Sequence, residues 1–195
     1  MLTDLPNILT LSRIGAIPLL VLLTAIHAPW ADFSAALLFT LAGITDYFDG
    51  KLARERAQLS DLGRMLDPIA DKLLISATLM CLIGFAHMPG FGIYPAIIIM
   101  LREILVSGLR EYLADLRIGL PVTKLAKWKT GVQMVALGLL LLGDSGAKVI
   151  GLGHLPVGWI GFTMLWVAAA LTLITGWDYL IAGLRHAGAP SVPRA

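Results

Sequence analysis

The sequence predicts an all-α membrane protein, a polytopic bundle of six transmembrane helices with both termini in the cytoplasm. Three observations carry this prediction: the composition, six long apolar stretches and an uneven distribution of basic residues. Of the 195 residues, 57% are hydrophobic and only 14% are charged, whereas soluble domains are nearer half apolar and a quarter charged. A chain of this length cannot bury so much apolar surface in a water-soluble core. The net charge of +2 gives no reason to expect binding of nucleic acid.

Six apolar stretches are long enough to cross a bilayer, which takes about 20 helical residues. The breaks between them contain Pro, Gly or Asp, which are typical of turns. We expect one domain over residues 1–187, followed by a flexible cytoplasmic tail at residues 188–195. The predicted spans are Leu9–Ala28, Phe33–Arg54, Gly63–Ala86, Phe91–Leu113, Leu125–Leu142 and Val157–Leu184.

The basic residues orient these spans, because cytoplasmic loops carry an excess of Lys and Arg. Only Lys148 lies in an outer connection, and Arg13, Lys72 and Arg102 fall within spans. The other eleven lie on the opposite side, which predicts cytoplasmic termini: Lys51, Arg54, Arg56, Arg64, Arg110, Arg117, Lys124, Lys127, Lys129, Arg185 and Arg194. Aromatic residues fit two interfacial belts, with Trp30, Tyr94 and Trp159 outside and Tyr112, Trp128 and Trp177 inside.

Four aspartates in the second and third predicted spans are not explained by burial in a membrane. Asp46 and Asp49 lie three residues apart, and Asp67 and Asp71 lie four apart, so each pair shares one helix face. A carboxylate at membrane depth costs at least ~2.5–3.5 kcal/mol. The connection between the two spans is short and basic, so the spans are antiparallel neighbours. We therefore expect all four carboxylates to meet in one cavity in the cytoplasmic half of the membrane.

Clustered carboxylates without His or Cys favour a hard divalent cation as their partner. Two such ions would balance four negative charges, and the nearby Arg and Lys residues would suit a substrate that carries phosphate. Two alternatives stay open at this point. The aspartates could be solvated helix ends, or they could serve a proton or cation transporter, which predicts inverted repeats and broken helices near the midplane.

The aspartates belong to one longer pattern that is similar to the signature of the CDP-alcohol phosphotransferase family. It reads Asp46-Tyr-Phe-Asp49-Gly50-Lys-Leu-Ala53-Arg54, then eight residues, then Gly63-Arg-Met-Leu-Asp67-Pro-Ile-Ala-Asp71. Every fixed position of the signature is filled. The resemblance extends across the chain and implies six spans and an active site that faces the cytoplasm.

Three further stretches resemble the branch of this family that uses glycerol 3-phosphate in the bacterial inner membrane. They read LPNILTLSR at residues 5–13, REILVSGLREY at residues 102–112 and KWKTGVQM at residues 127–134. They favour glycerol 3-phosphate over serine or inositol phosphate as the acceptor. The family resemblance also implies a homodimer.

The resemblance implies a role for each residue of the pattern. Asp46, Asp49, Asp67 and Asp71 would hold two Mg²⁺ or Mn²⁺ ions, and Asp71 would also act as the general base on the acceptor hydroxyl. The reaction would move a phosphatidyl group from CDP-diacylglycerol to glycerol 3-phosphate and release CMP. The residues implied to bind the CDP moiety are Thr45, Asp46, Asp49, Gly50, Ala53, Arg54, Gly63 and Asp67.

The acceptor carries its own phosphate and therefore needs a second cationic pocket. The candidates are Arg110, Lys124, Lys127 and Lys129, and the alternative is a solvated loop that only orients the chain. Arg102 and Glu103 are expected to form a buried pair. For Arg13, contact with lipid phosphate and snorkelling towards the interface are equally open.

Overall fold

The computed structural model describes residues 5–56, 61–115 and 124–187, and within these ranges the chain is all helical. The predicted tail at residues 188–195 lies outside them. Short 3-10 turns at Gly90–Gly92 and Lys148–Ile150 precede the fourth and follow the fifth α-helix. The α-helices are α1 (Leu5–Ala25), α2 (Pro29–Arg56), α3 (Asp61–Gly84), α4 (Ile93–Asp115), α5 (Lys124–Ala147) and α6 (Val157–Ala187).

Each predicted span corresponds to one helix, but several predicted ends are wrong. α2 begins at Pro29 rather than Phe33, because proline suits the first helical position, where its missing N–H is not needed. α5 continues past the predicted Leu142 to Ala147, although Gly143 leaves helical geometry with φ 54°. Beyond that break, Asp144 Oδ1 accepts a hydrogen bond of 2.9 Å from the Gly158 backbone N–H. This bond satisfies a donor in the first turn of α6.

The chain is a multi-pass membrane protein, because several of its helices are long and apolar enough to cross a bilayer. These are the stretches Ile8–Ala25, Gly90–Leu113, Trp128–Ile150 and Val157–Ile181. In the described ranges α2 and α3 do not reach this apolarity, and they are the helices that carry the aspartates. All six aromatic residues predicted for the interfacial belts are exposed, by 52% to 72%. Lipid contact accounts for such apolar exposure better than water does.

Contacts at both ends of α1 and α3 show that these two helices run parallel. Near their first turns, the Thr10 hydroxyl bonds Asp67. Near their last turns, His87 Nε2 lies 2.9 Å from the Thr24 carbonyl oxygen. α4 and α6 are also parallel, since Arg102 bonds Thr175 and Arg110 bonds Tyr179.

Close packing of α5 against its neighbours forms the centre of the bundle, and α2 and α6 lie against it. A Cβ added at Gly161 of α6 would lie 3.0 Å from Leu140 N and 3.2 Å from Ala136 O. Glycine thus allows the two backbones to approach closely, as small residues do in membrane helix pairs. Phe39 of α2 and Leu165 of α6 are buried against the same core. This packing holds the charged residues of different helices at one end of the bundle.

Candidate active site

The first helix supplies two buried polar residues to the predicted acidic site. Arg13 is only 2% exposed, and its Nη1 lies 2.6 Å from Asp46 Oδ1 and 2.5 Å from Asp71 Oδ1. One turn earlier, Thr10 Oγ1 donates a hydrogen bond of 2.5 Å to Asp67 Oδ1. Thr10 and Arg13 share a face of α1, and α1 runs parallel to α3. Thr10 therefore meets Asp67, and Arg13, one turn later on α1, meets Asp71, one turn later on α3.

The structure contradicts snorkelling of Arg13, because its guanidinium is buried between two carboxylates from α2 and α3. Contact of Arg13 with a lipid phosphate stays a prediction. The structure thus brings Asp46 and Asp71 to one nitrogen and places Asp67 one turn away on α3. The side chain of Asp49 lies outside the described part of the chain.

The donor set of this acidic site, defined as Asp46, Asp67 and Asp71, fits a hard divalent cation. The Arg13 nitrogen already occupies a position for positive charge between two carboxylate oxygens. The side chains of Asp46 and Asp71 are 43% and 51% exposed, so a ligand can reach them. Among the residues described, no three metal-binding side chains gather in one group. The two-ion site therefore stays a prediction.

Of the other residues predicted to bind CDP, the structure describes Thr45 and Gly63. Thr45 precedes Asp46 and donates a hydrogen bond of 2.9 Å to the Ala42 carbonyl oxygen within α2. Gly63 is buried in the first turn of α3, four residues before Asp67. The side chains at positions 50, 53 and 54, which include those of Ala53 and Arg54, are not described, and their predicted contacts with CDP stay predictions.

A second charged cluster lies where α4 meets α5 and α6, and we call Arg102, Arg110, Lys129 and Glu103 the basic cluster. Lys129 is only 3% exposed, and its ammonium donates to the Glu103 carboxylate. Arg102 Nη1 lies 3.6 Å from the same carboxylate oxygen, which confirms the predicted pair, although both side chains are only partly buried. Arg102 also donates to Thr175 Oγ1 at 3.0 Å. Lys129 and Arg102 share the Glu103 carboxylate, and Arg110 adds a third positive charge, so the cluster carries net positive charge.

Arg110 is the exposed member of the basic cluster. Its Nη2 donates a hydrogen bond of 2.8 Å to the hydroxyl of Tyr179, and its guanidinium carbon lies 4.9 Å from the centre of that ring. Such a cation–π contact fixes the guanidinium while leaving other donors available. The side chains of Lys124 and Lys127 lie outside the described residues.

A contact between Lys72 and Ser107 joins the acidic site to the basic cluster. Lys72 directly follows Asp71 in α3, and its ammonium donates to the Ser107 hydroxyl of α4. Ser107 lies between Glu103 and Arg110 on one face of α4, since the three residues are spaced by four and three positions. The two groups of opposite charge are therefore adjacent.

The sequence did not predict the contacts of five of these residues: Thr10, Arg13, Lys72, Ser107 and Tyr179. A signal was present for two of them, because Arg13 and Lys72 are cations within predicted spans. Ionisable residues at membrane depth pair with one another or mark functional sites. Their partners depend on which helices are neighbours, and the sequence pattern alone does not give that arrangement.

The chain belongs to the CDP-alcohol phosphatidyltransferase family, whose match covers residues 3–174. Three relatives share the name CDP-diacylglycerol–glycerol-3-phosphate 3-phosphatidyltransferase. The one from Rickettsia bellii is 46% identical over 179 residues, or 92% of this chain and 94% of the relative. That of Cereibacter sphaeroides is 42% identical over 213 residues, with 94% and 96% covered. A Shigella flexneri relative is 39% identical over 181 residues, with 92% and 94% covered.

The bond from Thr10 to Asp67 can be tested by removing the hydroxyl without changing the shape of the side chain. Thr10→Val should lower the free energy of unfolding by about 1.5–3 kcal/mol, the usual effect of losing a hydrogen bond to a charged group. Thr10→Ser keeps the hydroxyl and should unfold near the wild type. The measurement is thermal unfolding in detergent micelles, followed by tryptophan fluorescence. Equal midpoints for Thr10→Val and the wild type would show that this bond does not stabilise the fold.

Proposed function

We propose that the chain transfers the phosphatidyl group of CDP-diacylglycerol to glycerol 3-phosphate, giving phosphatidylglycerol phosphate and CMP. The observation that carries this proposal is the Lys72–Ser107 contact. It joins a negative site suited to a metal-bound diphosphate to a positive cluster suited to the phosphate of the acceptor. Family membership and the names of the relatives support the same reaction.

The acidic site is the proposed binding site for the diphosphate of the donor. Asp46, Asp49, Asp67 and Asp71 hold two divalent cations, Mg²⁺ or Mn²⁺, which when bound neutralise the charge of the diphosphate. Support comes from the accessible carboxylates of Asp46 and Asp71 and from the excess of acidic residues over Arg13. The remaining residues of the pattern bind the CDP moiety beside them: Thr45, Gly50, Ala53, Arg54 and Gly63.

An apolar groove between α2 and α5 supports a lipid as the donor. Its volume is about 790 Å³, and its lining on α2 runs from Phe33 to Ile44. Ile44 lies two residues before Asp46, so a lipid with its diphosphate at the acidic site can extend an acyl chain into this groove. These twelve residues of helix, with eleven rises of about 1.5 Å between them, span ~16 Å, which accommodates much of one chain. Gly43 and Gly138 line the groove, and the missing side chain of Gly43 leaves room for Met134, which also lines it.

Asp71 is the proposed general base. It takes the proton from a hydroxyl of glycerol 3-phosphate, and the hydroxyl oxygen attacks the β-phosphorus of the donor. The bond from that phosphorus to the CMP oxygen breaks, and Arg54 neutralises the leaving CMP. Support for this role is positional, since Asp71 has an accessible carboxylate and the next residue, Lys72, contacts α4 beside the basic cluster.

The basic cluster is the proposed site for the phosphate of the acceptor. Arg110 and Lys129 bind this phosphate together with Lys124 and Lys127. An ion pair with phosphate is stronger in a dry setting, and Lys129 is nearly fully buried. Its present partner is Glu103, so the phosphate binds beside this carboxylate or replaces it. Either arrangement uses the excess of three cations over one carboxylate.

We place this site at the cytoplasmic face of a bacterial inner membrane, with six spans and both termini in the cytoplasm. The eleven basic residues on one side support this orientation. α2 and α3 complete the six spans, and two of their aspartates, Asp46 and Asp71, pair with Arg13 inside the bundle. The homodimer implied by the family resemblance stays part of this proposal.

The transporter alternative has less support. It predicts helices that are broken at the membrane midplane near the carboxylates. Asp46 and Asp71 lie in α2 and α3, and both helices are continuous over their described residues. The break at Gly143 lies in α5, which carries none of these carboxylates, and it comes after Lys129 in that helix. Family membership also favours a transferase.

The proposed reaction is tested with purified protein, CDP-diacylglycerol, and Mg²⁺ or Mn²⁺. We expect CMP release with glycerol 3-phosphate but not with serine or inositol phosphate, and we expect EDTA to abolish it and excess Mg²⁺ to restore it. Asp46→Asn should be inactive. Asp32→Asn is the matched control, because Asp32 is a buried aspartate in the first turn of the same helix. Full turnover in excess EDTA would rule out the metal-assisted reaction.

The separate roles of the two clusters predict different kinetic defects. Asp71→Asn should lower kcat by ~10²–10⁴-fold, as expected for loss of a general base, while CDP-lipid binding at saturating metal is largely retained. Arg110→Ala and Lys129→Ala should raise KM for glycerol 3-phosphate by roughly 10- to 150-fold, since each removes a charge-assisted bond.

Steady-state kinetics and direct binding of the CDP-lipid distinguish these outcomes. Lys148→Ala, which removes a cation far from the cluster in sequence and beyond α5, should leave both constants unchanged. An unchanged acceptor KM in both Arg110→Ala and Lys129→Ala would show that the basic cluster does not bind the acceptor phosphate and has only a structural role. Normal turnover by Asp71→Asn would contradict the assignment of the base.

A further inference from the structure

We propose that Arg13 is a resident counter-cation of the acidic site, whose guanidinium leaves Asp46 and Asp71 when a divalent cation binds there. This inference rests on the proposed function, because it takes the acidic site to be a metal site. It adds a residue outside the aspartate pattern and assigns it a part in metal binding.

The geometry of the contact is the first support. One nitrogen of Arg13 lies within 2.6 Å of carboxylate oxygens from two helices, Asp46 of α2 and Asp71 of α3. These oxygens therefore face a common point from two sides, which is the arrangement that a bridging cation requires. The carboxylates are about half exposed, whereas the Arg13 side chain is 1% exposed. A cation can thus approach the oxygens from the open side, away from α1.

Electrostatic balance is the second support. Without a cation, Asp46, Asp67 and Asp71 would place like charges together at membrane depth, which is strongly unfavourable. Arg13 pairs with two of these carboxylates, and Thr10 bonds the third. Arg13 and Thr10 therefore offset part of the charge of the site, and a net negative charge remains, because one guanidinium and a neutral hydroxyl face three carboxylates. Removing these carboxylates would leave the buried Arg13 guanidinium without its partners, which is expected to destabilise the fold.

Competition for the same oxygens connects Arg13 to the metal. A Mg²⁺ ion binds oxygen at about 2.0–2.1 Å. The ion and the Arg13 guanidinium are both positively charged, so they cannot both lie between the same two carboxylate oxygens. Binding of the ion therefore includes the loss of two ion pairs with Arg13. The wild-type site should bind metal less tightly than the same carboxylates without Arg13. If Arg13 instead stays in place, its removal would not tighten metal binding.

The test compares Mn²⁺ binding by wild type, Arg13→Gln and Arg13→Lys, with free Mn²⁺ measured by electron paramagnetic resonance. Arg13→Gln should bind Mn²⁺ about tenfold more tightly or better, the scale of a lost charge-assisted bond. It should also unfold at a lower temperature in EDTA and gain more from added Mn²⁺ than the wild type does. Arg13→Lys keeps the charge and should stay within about threefold of the wild-type affinity.

Each outcome separates this inference from the proposed function. A wild type that binds no Mn²⁺ overturns both the metal site and the role of Arg13. A wild type that binds Mn²⁺, with unchanged or weaker binding in Arg13→Gln, overturns the role of Arg13 alone. If Arg13→Gln does not fold even with Mn²⁺, the wild type can be tested directly by NMR. The Arg13 Nε–H resonance, assigned by its absence in Arg13→Lys, should shift on saturation with Mg²⁺, and an unchanged resonance overturns the inference.

Discussion

Arg13 of α1 contacts Asp46 of α2 and Asp71 of α3 through a single nitrogen, and this contact joins the first three helices at one end of the bundle. Carboxylates in these helices are unfavourable in lipid unless a positive charge compensates them. The guanidinium supplies that charge from within the fold. The same carboxylates thereby stay grouped and accessible, which is the condition for holding a divalent cation and a diphosphate.

The bundle places a site of opposite charge directly beside this one. α4 presents Glu103, Ser107 and Arg110 on one face, and each contacts a different neighbouring helix. Because Lys72 follows Asp71 and reaches Ser107, the acidic site and the basic cluster are close in space although Lys72 and Ser107 are 35 residues apart in the chain. A phosphate-bearing acceptor held by the cluster would have its hydroxyl near Asp71, and the groove along α2 would hold the apolar part of the donor.

Much of this architecture could be predicted from the sequence, since apolar length and the spacing of charged residues depend on local periodicity. The six helices and the grouping of Asp67 with Asp71 follow from 3.6 residues per turn. The partners of Arg13, Lys72 and Arg110 could not be predicted, because they lie on helices far apart in the chain. Which faces meet is decided by packing, for example where Gly161 allows α6 to approach α5. Helix ends were missed where single residues override the apolar pattern, as Pro29 does at the start of α2.

Arg13 is proposed to leave Asp46 and Asp71 when a divalent cation binds at the acidic site. The most direct measurement is a crystal structure of the protein with CDP and Mn²⁺, using the anomalous signal of manganese. We expect an anomalous peak between Asp46 and Asp71 and an Arg13 guanidinium that no longer bridges them. Bound CDP without a manganese peak at these carboxylates, and with Arg13 still between them, would contradict it.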